Sequence, residues 1–279
     1  QVLKSRPFAD KLARVLQNIQ TRMQFETSDS PLLSKRDVKT ISLVCITADR
    51  GLCGGYNTNI IKKVELRYAE LISQGFIVNL ILVGKKAISF FQNRKDKYVI
   101  KSTFKELEQV PTAKDSEGVT SEVLAEFLSE NSDRVEIIYT KFITLVSCAP
   151  VIQTLLPLDP QGIAVENDEI FRLTTKNSQL RVEKANINKS ETDKLPSDIV
   201  FEQSPDQLLD SLLPLYLQNQ ILRALQESAA SELACRMTAM NNASDNAKEL
   251  ASNLNLTYNK ARQAAITQEI LEVVGGSAN

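Results

Sequence analysis

The residues best suited to chemistry lie in a glycine-rich run, Asp49-Arg50-Gly51-Leu52-Cys53-Gly54-Gly55-Tyr56-Asn57. It follows a β-rich apolar stretch, Val38 to Thr47, and precedes a helical pattern from about Thr58 to Gln74. A strand–loop–helix of this kind is where an α/β fold holds a phosphate, on the backbone N–H groups of a helix N-terminus. The glycine spacing is GxxGG, which matches neither GxGxxG nor the GxxxxGK[ST] of a P-loop. The second strand ends in Gly84-Lys85-Lys86 rather than in the acid that would hold a ribose. The bland reading, glycines serving a tight turn that Asp49 and Arg50 could fix by pairing, is therefore preferred to a nucleotide site. Cys53, in the glycine loop, is expected to be the thiol most open to solvent.

Other reactive groups are sparse. Four cysteines (Cys45, Cys53, Cys148, Cys235) show neither a CxxC nor a zinc spacing, and histidine is absent. That removes Ser-His and Cys-His nucleophilic machinery, the usual zinc sites and the commonest general base at neutral pH. Carboxylates, lysines and tyrosines form no recognisable catalytic set. No catalytic residue, cofactor or metal site is expected. Cys45 and Cys235 read as small hydrophobes in a reduced compartment. Arg262 and Gln263 flank an alanine-rich stripe where a partner could sit, and a planar guanidinium suits hydrogen bonds to carboxylates.

The element that carries those two residues organises the chain. From Asp206 to Val274 there is no proline after Pro214 and no glycine before Gly275. Leu222, Leu225, Ala229, Leu233, Met237, Met240, Ala243, Ala247, Leu250, Leu254, Tyr258, Ala261 and Ala265 recur at steps of three and four, one side of a continuous helix. At 1.5 Å per residue it would be roughly 100 Å long. Ser204-Pro205-Asp206 supplies a start and Gly275-Gly276 a stop. Small side chains permit close approach but bury little area, and the flanks carry neutral asparagines. Glu227, Glu232, Arg236 and Glu249 read as a solvated face with local ion pairs. The plain reading is an antiparallel coiled-coil arm; the sharper one is a shaft inside a larger assembly.

Ahead of the helix, strands alternate with helices. Ile77 to Val83 and Arg134 to Leu145 read as strands, Lys85 to Arg94 and Lys114 to Glu130 as helices. This argues an α/β domain with a largely parallel sheet. Val151 to Leu158, Ile170 to Thr174 and Ile199 to Phe201 read as further extended pieces. Pro160 to Asp168 and Asn177 to Ser197 read as loops or hairpin ends. Gln1 to Gln24 is a helical pattern that begins abruptly, and Ser28 to Arg36 reads as a linker. The division expected is a helix remnant over 1–30, an α/β domain over 37–203 and a shaft helix over 204–279.

Charge is balanced, 33 basic residues against 34 acidic, and the long helix carries more acid than base. Nucleic acid is not an expected partner, since phosphate binding wants a positive face. The longest apolar run, Phe76 to Gly84, is too short to span a bilayer. No secretory signal is read, so any membrane association is expected to run through partners.

Four blocks then carry a resemblance: DRGLCGGYN after the first strand, YTKF at Tyr139 to Phe142, ASELACRMTAMNNASDNA at Ala230 to Ala247, and YNKARQAAITQEILEVV at Tyr258 to Val274. Together the chain resembles the gamma subunit of F-type ATP synthases over nearly its whole length. LLPLYLQNQILRALQES at Leu212 to Ser228 and DEIFRLTTK at Asp168 to Lys176 are most similar to the cyanobacterial and plastid branch. The resemblance implies a Rossmann-like domain plus a long C-terminal helix paired with the N-terminal helix as an antiparallel coiled coil. It implies a rotor rather than a catalyst, turning inside a ring of alpha and beta subunits and seated with epsilon on the membrane c ring.

By motif match, Arg262, Gln263 and Thr267 would face the beta subunits, with Arg236 nearby. Phe201 and Glu202 would approach epsilon and the c ring. The location implied is peripheral on the thylakoid membrane, at its stromal or cytoplasmic face. Three departures are visible. Most of the family's N-terminal helix is expected to be missing. Asp159 to Asp168 contains no cysteine, so the two-cysteine redox segment of plant plastid subunits is lacking. Gly276-Ser277 stands where the family usually has Gly-Ala. The rival readings are a nucleotide-binding enzyme and a static coiled-coil scaffold.

Overall fold

A computed structural model describes residues 37–105, 109–144, 147–157, 170–176, 179–185 and 205–277. In chain order these form β1 (Thr40–Ile46), α1 (Tyr56–Ser73), β2 (Ile77–Val83), α2 (Lys85–Gln92), β3 (Val99–Phe104), α3 (Ala113–Leu128), β4 (Arg134–Phe142) and β5 (Cys148–Leu156). β6 (Ile170–Lys176), β7 (Gln179–Ala185) and α4 (Pro205–Ser277) complete the order. The five-stranded sheet runs β3-β2-β1-β4-β5. Its first four strands are parallel, and β5 joins antiparallel to β4. β6 and β7 pair as a separate antiparallel hairpin.

β1, β2 and β4 are largely apolar because both faces of the sheet are covered there. Alternate residues divide between two cores. Leu43, Cys45, Leu80, Leu82 and Ile138 pack with α1 and α2. Val44, Ile46, Ile81, Val83, Val135 and Ile137 pack with α3 and with Leu213, Tyr216, Leu217 and Ile221 of α4. The α/β core therefore runs past residue 203 into the long helix. α3 opens on a capping box, Thr112 and Asp115 exchanging hydrogen bonds across the first turn.

Several expectations change here. β3 stands where no element was read, because its alternating polar residues (VIKSTF) carry only a half-buried edge. Asn177 to Ser197 was expected as loops or hairpin ends; its residues 179–185 form β7. The long helix does not stop at Gly275-Gly276 but continues to Ser277, since two glycines weaken a helix without breaking it. It also accommodates Pro214. The remnant helix over 1–30, the linker at Ser28 to Arg36, the loop at Pro160 to Asp168, and the extended piece at Ile199 to Phe201 lie outside the described residues.

Candidate partner-binding surface

The sheet order places the crevice beside the carboxyl ends of β1 and β4, where an open α/β sheet usually holds a ligand. A cavity of about 350 Å³ is present there, between Thr47, Asp49 and Arg50 on one side and Ser228, Glu232 and Arg236 of α4 on the other. The backbone N–H groups at the start of α2 that border it are already engaged. Asp49 Oδ1 accepts the Lys85 N–H at 2.7 Å, Ala48 O accepts that of Lys86 at 3.3 Å, and Thr47 Oγ1 accepts that of Ala87 at 3.0 Å. The first donors of α2 are thus turned onto the chain itself, and Arg236, one of the cations of the lining, is paired with Glu232.

The glycine loop instead seats the long helix. Asn57 ties the loop together: its Oδ1 accepts the Ala48 N–H at 3.0 Å, and its Nδ2 donates to Arg50 O at 3.3 Å. Gly54, at φ +56°, brings the loop under Ala239, whose Cβ would lie 3.9 Å from an added methyl. From the helix, Arg236 Nη2 reaches Gly51 O at 3.4 Å. Ser231 Oγ donates to Thr140 O at 3.2 Å. Gln218 and Gln226 donate to the carbonyls of Ala113 and Pro111, at the start of α3.

Three readings are corrected at this neck. Cys53, expected to be the exposed thiol, is 2% exposed, because Leu52 turns outward (φ +62°) and takes the solvent position. Burial pushes its thiol pKa up. Glu227 and Glu232, read as part of a solvated face, are buried, Glu227 completely. Arg223 Nε donates to Glu227 Oε1 at 3.1 Å within the core, and Arg236 pairs with Glu232. Burial raises the Glu232 pKa, against the pull of Arg236 and Arg50. Glu249 is exposed as expected.

The apolar stripe is likewise not one buried seam. The embedded part of α4 turns Leu213, Leu217, Ile221, Ala224 and Leu225 to the sheet, and Leu233 and Met237 of the stripe are 40% and 48% exposed. From Met240 to Gly275 every residue is exposed. This projecting part holds Arg262, Gln263 and Thr267. Gln263 and Thr267 share a side, Thr267 Oγ1 donating to Gln263 O at 2.8 Å, and Arg262 is offset by one residue. Arg236 is not near them. The 26 positions between Arg236 and Arg262 amount to about 39 Å of helix. Phe201 and Glu202 lie outside the described residues.

Sequence reading also missed a buried ion cluster. Glu136, wholly buried in β4, is held by Arg67 of α1 and by Arg134. A glutamate within the apolar run RVEIIYT was the available signal. Among the described residues, no group of three or more His, Cys, Asp or Glu could hold a metal ion. Among them, no helix is long and apolar enough to cross a membrane.

Comparison with known proteins is informative at two depths. A family model described as ATP synthase matches residues 1–279. The ATP synthase gamma chain of Prochlorococcus marinus strain MIT 9312 is 90% identical over 278 residues, covering 100% of this chain and 88% of that protein. The ATP synthase gamma chain of strain MIT 9303 is 71% identical over 279 residues, with coverage of 100% and 88%. Among solved structures, the central stalk and c-ring of Tetrahymena thermophila mitochondrial ATP synthase aligns at TM-score 0.53 and 21% identity, covering 87% of this chain and 99% of that one. The OSCP/F1/c-ring assembly of Euglena gracilis mitochondrial ATP synthase aligns at TM-score 0.55 and 19% identity, covering 99% and 91%. At such identities these two structures share the fold.

Proposed function

The chain belongs to the ATP synthase gamma family and is a central-stalk rotor subunit of an F-type ATP synthase, and from that premise we propose how it carries torque. Helix α4 is the shaft. Its projecting part turns inside the ring of alpha and beta subunits, while the α/β domain rides with epsilon on the c ring. One observation supports this most directly: a single helix is built into the domain core as far as Ala234, then runs from Met240 to Gly275 exposed on every side. A rod rooted in a packed core transmits rotation, because close-packed interiors yield little.

The ring contact runs on Arg262, Gln263 and Thr267, all three of them exposed. Arg236, engaged with Glu232 and Gly51, serves the neck rather than the ring. Phe201 and Glu202 are the proposed contacts to epsilon and the c ring. In this reading residues 1–30 pair with the shaft, 37–203 form the seat, and 204–279 form the shaft. The subunit has no catalytic site of its own, binds no cofactor or nucleic acid, and meets the membrane through its partners. We place it peripherally on the thylakoid membrane, at the stromal or cytoplasmic face.

Reconstitution with alpha and beta subunits tests this. The chain should co-purify with them and raise their ATP hydrolysis, and the chain alone should not bind ATP. A static scaffold would leave turnover unchanged. Micromolar ATP binding by the chain alone, abolished by changing Gly54 and Gly55, would instead favour the nucleotide-binding reading.

A further inference from the structure

Two elements that meet at the neck each bring a thiol. Cys148 opens β5, Cys235 lies on α4, and their sulfurs are 3.1 Å apart although 87 positions separate them in sequence. A disulfide bond is about 2.05 Å long, so a small further approach would close one. Both are free thiols and both are partly exposed. The remaining cysteines are placed otherwise. Cys45 is wholly enclosed in the sheet, and Cys53 is buried with Asn57 Nδ2 3.1 Å from its sulfur.

We propose that Cys148 and Cys235 form a redox modification site: a hydroperoxide converts them to an intramolecular disulfide that staples the shaft helix to β5. The Cys148 thiolate attacks a peroxide oxygen; the O–O bond breaks, giving a sulfenic acid and, with hydrogen peroxide, one water. The Cys235 sulfur then attacks Cys148 Sγ. The S–S bond forms, the S–O bond breaks, and hydroxide leaves with the proton of Cys235 as a second water. Two thiols have lost two electrons and one peroxide has become two waters. The balance is the same whichever sulfur reacts first; burial, and then the neighbouring Cys148, push the Cys235 thiol pKa up.

The position gives the bond a consequence. Cys235 lies in the last stretch of α4 that still touches the domain, just before the helix is exposed from Met240 onward. A covalent tie there restrains local opening of the neck. Both sulfurs belong to one chain, so the tie does not lock the rotor to anything outside it.

The test treats the full chain, and separately the assembled complex, with hydrogen peroxide, then digests without reductant for mass spectrometry. The expected product is a peptide pair joining Cys148 to Cys235, lighter by two hydrogens, reversed by dithiothreitol and missing from Cys235→Ser and Cys148→Ala. Amide exchange over residues 229–240 should slow by about threefold or more on oxidation, in the wild type alone. Sulfenic or sulfinic acid on Cys148 with no joined peptide would overturn the proposal. So would Cys53 joined to Cys235, or a joined peptide with unchanged exchange. The second variant guards against one substitution misfolding.

Discussion

Arg67 and Glu136 are joined by two hydrogen bonds, Nε to Oε2 at 2.9 Å and Nη2 to Oε1 at 2.8 Å. The glutamate is completely buried in β4, and the arginine reaches it from α1. A forked guanidinium satisfies both carboxylate oxygens at once, and Arg134 adds a contact to Oε1 at 2.9 Å. The pair pins α1 to the face of β4 that it covers, the strand whose other face seats the shaft. Arg67→Ala would leave a buried carboxylate short of its main partner and should cost about 3–5 kcal/mol of stability. Replacing both, Arg67→Met with Glu136→Leu, should restore most of that loss. Urea unfolding measures each; a single Arg67→Ala costing less than about 1 kcal/mol would place the pair among weak surface bridges.

Gly84 is where the backbone leaves no choice. It holds φ +99° at the end of β2, and an added Cβ would sit 2.2 Å from the carbonyl oxygen of Thr47. The same threonine bonds Val83 O and the N–H of Ala87, so it cannot retreat without loosening α2. Gly84→Ala should cost at least about 1–3 kcal/mol from the backbone alone, read as a lowered urea midpoint. Gly51→Ala is the control. Its added methyl would meet only the Lys86 side chain, at 3.8 Å, and should change the midpoint little.

Those two positions show what sequence could and could not give. β1, β2 and β4 announced themselves because each is buried on both faces and so reads as a largely apolar run. β3 did not, since an edge strand with one polar face resembles a loop. The length of α4 followed from its unbroken 3.6-residue period, whereas its burial did not: Leu213 and Leu233 look alike in sequence, yet only the first meets the sheet. Gly51, Gly54 and Gly55 drew attention as a cluster, but among the described glycines the strictest steric demand falls on Gly84, set by Thr47, 37 positions away in sequence. Cys148 and Cys235 carry no spacing signal because their proximity exists only after folding.

The raised pKa of Glu232 gives stability a pH dependence of defined sign. Burial is the main cause, so the folded state holds this proton above the ordinary value of 4.5. Proton binding thus favours the folded form. The contribution is fully present below pH 4.5 and is lost as pH rises through the raised value. Glu232→Gln removes the titration while leaving an amide oxygen that can still accept from Arg236. Urea midpoints of the wild type should therefore fall relative to those of the variant as pH climbs from 4.5 toward neutrality. Parallel curves would show that the neck leaves this carboxylate as well solvated as in the unfolded chain.

The projecting shaft gives the last prediction. Leu250, Leu254, Tyr258, Ile266 and Ile270 are 46–65% exposed, and an isolated helix owes most of its stability to packing of its apolar face. In the free chain, amides over residues 242–271 should exchange far faster than those of Ile41 to Ile46, which lie in the centre of the sheet. Assembly with alpha and beta subunits should slow that same stretch by about tenfold or more, because covering the apolar face raises the cost of local opening. Arg262→Ala in the assembled complex should lower turnover while leaving exchange at the neck unchanged, since residue 262 lies about 39 Å along the helix from Arg236. Protection over 242–271 in the free chain equal to that of β1 would mean that the helix needs no cover. The reading of this segment as a surface awaiting partners would then be wrong.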